Sequence, residues 1–181
     1  MSKCSLSMSL VSLLAVGFFS AGTAHAEMRN QDEEATRLML ALDLDHTSPI
    51  DATGVDNGGG GALRIGSELD MILVSLIPEV VLGYHTFGGP ADASTLTGSL
   101  GGRIRFLKIV EPGIFAHAGL GRIGGDDPHT GFAFDAGVTV DLTILPLIDL
   151  GVHAAWNRVF GGEDHAGLSY ATVGAHVALV L

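Results

Sequence analysis

From residue 36 onward, apolar and polar side chains alternate with a period of two along almost the whole chain. That is the signature of strands with two different faces. It predicts eight strands, at 36–46, 61–70, 77–87, 97–107, 112–122, 130–142, 147–159 and 167–181. Residues 27–35, EMRNQDEEA, form a polar leader with no periodicity.

The links between strands are of two kinds. LDMILVSLIPEVVLGYH, IRFLKIVEPGIFAHAG and VDLTILPLIDLGVH each pass through a short apolar link with a proline, placed where a strand's first residue needs no ladder donor. The others are polar and rich in glycine and acid: HTSPIDATGVDNGGGG, FGGPADAS, IGGDDPHTG and FGGEDHAG. Short links alternating with longer loops predict an up-and-down barrel with tight turns at one rim and loops at the other.

Glycine indicates which face lies inside, because strand glycines mark close approach and tight curvature. Gly66, Gly83, Gly101, Gly119, Gly137, Gly151 and Gly174 are each in phase with the polar residues of their own strands. Those residues are Arg64, Glu68, His85, Arg103, Arg105, His117, Asp135, Asp141, Asp149, His153 and His176. The opposite phase is nearly unbroken hydrocarbon: Leu38, Leu40, Leu42 and Leu44; Ile114, Ala116, Ala118 and Leu120; Phe132, Phe134, Ala136, Val138, Val140 and Leu142. The charged face is therefore expected to line the lumen and the apolar face to lie outside, against lipid.

The segment before the leader has its own pattern. Lys3, the apolar run LVSLLAVGFF and the small-x-small AHA at 24–26 are the parts of a cleaved signal peptide. The run is about half of the ~20 residues a spanning helix needs. The expected organisation is a signal peptide at 1–26, a leader at 27–35 and a β-barrel domain at 36–181. Cys4 leaves with the signal peptide, so the exported domain has no disulfide to hold it.

With these features in hand, the chain resembles the small eight-stranded outer-membrane β-barrel proteins of Gram-negative bacteria. The resemblance covers the whole mature chain through patterns rather than a fingerprint. The last strand, YATVGAHVALVL, is similar to the family's C-terminal assembly signal, but it ends in Leu181 where the family has an aromatic residue. The resemblance implies an all-β, antiparallel transmembrane barrel with both termini periplasmic. It implies outer-membrane lipid and lipopolysaccharide as surroundings, and the barrel-assembly machinery as a partner during biogenesis. Phe87 and Phe160, with Tyr84, Trp156 and Tyr170, are expected to form one interfacial girdle, with Phe106 at the other rim.

Without Lys3, eight basic residues face twenty acidic ones, and only Lys108 among the eight is lysine. Such a balance disfavours nucleic acid, which rewards basic surface. In the lumen, arginines among acids predict a charge-paired plug, because an eight-stranded barrel is just wide enough for side chains to fill. The lumen histidines are expected to belong to that plug, since no His-x-His or His-Glu-x-x-His spacing marks a metal. Asp126, Asp127, His129, Glu163, Asp164 and His165 form outer-loop acidic clusters, read as solvated turns, with weak binding of a divalent cation as the alternative. No serine sits in a nucleophile motif such as G-x-S-x-G, so no enzyme, cofactor or metal is expected. The expected role is a structural or loop-displaying outer-membrane barrel with a plugged lumen. The alternatives are a small channel for ions or solutes, and a soluble, lipocalin-like exported barrel that binds an apolar ligand.

Overall fold

Eight antiparallel strands close into one barrel, each hydrogen-bonded to its neighbours in sequence and the last to the first. The computed structural model describes residues 36–50, 52–71, 73–145, 147–162 and 165–181. The predicted signal peptide and leader, and Glu163 and Asp164 of the last loop, lie outside the described residues. The strands are β1 (Thr36–Ile50), β2 (Asp56–Asp70), β3 (Val74–Gly88), β4 (Ser94–Phe106), β5 (Val110–Gly124), β6 (His129–Leu145), β7 (Ile148–Val159) and β8 (Leu168–Val180). Closure runs from Met39–Val180 to Ile50–Ser169. It is completed at the chain end by two backbone bonds between Leu38 and Leu181, of 2.9 and 2.8 Å.

The two rims differ as the link composition predicts. The links from Asp70 to Val74, Phe106 to Val110 and Leu145 to Ile148 define one end. Those from Ile50 to Asp56, Gly88 to Ser94, Gly124 to His129 and Val159 to Leu168 define the other. The first loop is much shorter than its composition suggests, because β1 and β2 run on through HTSPI and the glycine series. His46 pairs with Gly59 and Asp45 with Gly60, and a register shift between Asp56 and Gly58 absorbs the irregularity. A side chain at Gly60 would meet the Tyr84 carbonyl at 2.2 Å. These glycines are therefore strand residues required by close backbone approach.

The prolines also sit differently. Pro78 lies within β3 and Pro112 within β5, not at the first residue of either. Lacking an N–H, Pro78 interrupts the ladder to β2, which stops at Gly66–Glu79 and resumes at Leu69–Leu76.

Burial alternates residue by residue and is inverted relative to a water-soluble protein. Leu44, Leu100 and Leu120 are 69%, 66% and 66% exposed, while Arg64, Glu68, Asp141 and Asp149 are buried. Leu38, Leu42, Ile114, Phe132, Val138 and Val152 stand on the same outward face. An apolar patch of such extent in water would be a liability; against hydrocarbon it is the favourable surface.

The aromatic residues divide between the faces. Tyr84, Phe132, Trp156 and Phe160 are outside, with Phe132 and Phe160 rings 5.8 Å apart and Phe134 and Trp156 rings 6.1 Å apart. Phe87 and Tyr170, expected in the girdle, instead point inward and meet edge to face at 5.1 Å. The reason is strand phase: Phe87 shares parity with Gly83 and His85, and Tyr170 with Gly174 and His176. With Ala93, Ile123, Ala133, Val159 and Leu168 they form an apolar cluster at the loop end of the interior.

Candidate functional site

The interior is a stack of polar layers beneath that apolar cap. Nearest the short turns, Arg105 bonds Asp149 through Nη1 at 2.8 Å and pairs with Glu68 through Nη2. Its Nε lies 3.2 Å from Glu111 Oε2, off the line of a hydrogen bond, so that attraction is an ion pair. Arg37 reaches the other Glu68 oxygen at 2.7 Å, and Lys108 pairs with Asp70 at the rim. One guanidinium thus holds three carboxylates. The planar fork of arginine suits this work better than a lysine ammonium.

In the middle layer Arg64 grips Asp43 through Nε at 2.8 Å and Nη2 at 2.9 Å, while Nη1 bonds Glu79 at 3.1 Å. Arg103 stands 3.5 Å from Glu79 and 3.7 Å from Asp141, over the ring of Phe115 at 5.1 Å. Above it, His117 bridges Asp135 at 2.6 Å and Glu79 at 2.9 Å. Asp45 joins His85 at 2.9 Å and His153 at 2.8 Å, and His176 bonds Asp141 at 2.5 Å. Nδ1 of His153 and Nδ1 of His176 lie 3.4 Å apart. Tyr170, at the foot of the apolar cap, meets Thr95 and His85 Nδ1 at 3.3 and 3.4 Å.

All eleven inward positions read from the sequence therefore converge in one interior: Arg64, Glu68, His85, Arg103, Arg105, His117, Asp135, Asp141, Asp149, His153 and His176. Sequence reasoning left out Asp43, Asp45, Glu79 and Glu111, although the signal was present. Asp43 and Asp45 alternate with Leu42 and Leu44, and Glu79 shares the phase of Gly83 and His85. A cavity of about 50 Å³ remains beside Arg64, His85, Arg103, His117 and His153. That volume holds a few water molecules at most.

The outer-loop residues form a separate group. Asp127 of the β5–β6 loop, His129 at the start of β6 and His165 of the β7–β8 loop come together, with the imidazole rings 4.7 Å apart, while Asp126 stands exposed.

An apolar exterior around a charged interior defines a small eight-stranded barrel of the outer-membrane type. Among solved structures the chain is similar to Neisserial surface protein A, with 15% identity and a TM-score of 0.63, over 81% of this chain and 99% of that one. It is also similar to Ail, the attachment invasion locus protein of Yersinia pestis, at 10% identity and a TM-score of 0.51, over 81% and 97%. No protein-family model matches the sequence, and comparison with curated proteins finds no match. At such identities the likeness concerns the fold.

Proposed function

We propose that this protein is exported, cleaved after Ala26, and inserted in the outer membrane as a rigid, plugged barrel whose acidic loop rim faces outward. The observation that carries this reading is the inversion of faces. Hydrocarbon covers the exterior, and Arg64, Arg103 and Arg105 are interlocked with carboxylates inside. A soluble barrel that binds an apolar ligand needs the reverse arrangement, an apolar interior and a polar exterior. A channel needs an open path, and eight strands leave an interior that side chains fill. Here they fill it with paired charges, as burial of charge requires.

The loops at the rim opposite the tight turns are short, so the surface presented outward is the rim itself, in keeping with a structural or interaction role. Purified protein in planar bilayers is expected to give no steady single-channel steps. Reproducible steps that vanish in Arg105→Glu would replace the plugged anchor with a channel. The membrane fraction should yield a chain beginning at Glu27 by mass spectrometry, and its detergent extract should migrate differently before and after boiling.

A further inference from the structure

The loop joining β5 to β6 and the loop joining β7 to β8 carry a feature that the barrel itself does not need. Ligating atoms of Asp127, His129 and His165 all lie within 4.8 Å of one another. His165 Nε2 is 3.5 Å from Asp127 Oδ1. His129 Nδ1 is 3.1 Å from the backbone carbonyl of Asp127. A carbonyl only accepts, so Nδ1 carries the proton and Nε2 is left with the free lone pair. That Nε2 is buried and has no hydrogen-bond partner among the described residues. A buried lone pair without a partner is costly, and the imidazole that carries it stands in one cluster with a second imidazole and a carboxylate.

We propose that Asp127, His129 and His165 bind a divalent transition-metal ion of the zinc class, which ties the two loops together. Two ligands about 2.0–2.2 Å from a tetrahedral centre stand roughly 3.3–3.5 Å apart, which is the separation found between Asp127 and His165. The hydrogen bond from His129 Nδ1 to a backbone carbonyl is the usual outer-shell contact that fixes a ligating imidazole's tautomer. Two imidazoles and a carboxylate suit zinc, copper or nickel, whereas calcium takes six to eight oxygens. The Asp127 side chain is 76% exposed, which leaves an open path for the ion and a position for solvent or an external ligand.

The second histidine cluster, Asp43 with His153 and His176 in the lumen, is a weaker host. Arg64 already grips Asp43, and an ion there would compete with that guanidinium. The rim site does not depend on what the lumen conducts.

The test uses the full chain purified in detergent, with folding of every variant checked by its gel mobility before and after boiling. Calorimetric titration with zinc should show one equivalent bound, and calcium none. Cobalt should give the visible absorption of a tetrahedral site. His129→Ala, His165→Ala and Asp127→Asn should each weaken zinc by more than about a hundredfold, beyond the loss of an outer-shell contact alone. His46→Ala, on an exposed strand position, should leave it unchanged. Absence of zinc binding by the folded wild type would overturn the site. So would binding that persists in the double variant lacking His129 and His165, which would place the ion in the lumen.

Discussion

At the scale of single residues, the inward glycines provide the space in which the charged network lies. A Cβ at Gly151 would fall 2.2 Å from Asp141 Oδ1 and 2.4 Å from His176 Nε2. One at Gly174 would meet Asp45 Oδ1 at 2.3 Å and His153 Cε1 at 2.9 Å. The histidine–carboxylate pairs therefore lie flat across glycine backbone. Gly151→Ala should cost about 1–3 kcal/mol, the usual range for overpacking. Gly98, which faces outward with nothing within 4 Å of an added Cβ, provides the control. Denaturant unfolding in lipid vesicles compares the two, and equal stabilities would mean that the network does not press on Gly151. The outward face has a parallel test. Val138 is 55% exposed in the middle of β6, and Val138→Arg should destabilise the barrel in bilayers by about 2–4 kcal/mol. Val138→Leu should be neutral there, and an arginine that folds equally well would show that this face does not meet hydrocarbon.

At the scale of strands and turns, the seam between β1 and β8 decides whether the sheet is closed, because an unpaired edge cannot lie in hydrocarbon. Leu181 forms two backbone bonds with Leu38 at the end of that seam. Truncation of Leu181 should therefore slow the appearance of the boiling-sensitive gel species during refolding and lower its final yield. An unchanged time course would show that the terminal pair is dispensable. Strand number and facing were legible in the sequence because period-two alternation runs through most strands and a glycine in phase with the polar residues marks seven of the eight. The ends of β1 and β2 were not, since a run such as Gly58–Gly61 has the composition of a loop and becomes strand only through its cross-strand partners. Phe87 and Tyr170 show a subtler limit. Their phase pointed inward, but closeness to a loop suggested an interfacial place, and only the assembled rim reveals the cap they form. The ion-pair partners were illegible for a plainer reason. Arg64 meets Asp43, and Arg105 meets Asp149, only once strand register and shear bring them to one height. The rim cluster was half legible: its residues were named, but not the fold of two loops that unites them.

At the scale of the whole molecule, the interior is unevenly charged, and that imbalance makes each arginine critical. Buried Asp43, Glu68, Glu79, Glu111, Asp141 and Asp149 outnumber buried Arg64, Arg103 and Arg105. Asp45 and Asp135 add to the acidic side and rely on histidine partners. Removing Arg105 therefore takes the cation from Glu111 and Asp149 and leaves Glu68 to Arg37, while removing one carboxylate leaves its arginine with others. Arg105→Ala deprives Glu68, Glu111 and Asp149 of their shared cation. The expected loss is about 3–5 kcal/mol, the usual cost of leaving a buried charge unpaired. Asp149→Asn should cost less, because Arg105 keeps Glu68 and Glu111. The two variants also separate a plug from a gate. In a plug, Arg105→Ala lowers the denaturant midpoint in vesicles and leaves planar bilayers silent until the barrel unfolds. In a gate, the same change opens steady conductance at unchanged stability. Measuring both quantities on one preparation decides between them, and conductance without a loss of stability would remove arginine pairing as the reason the lumen is closed.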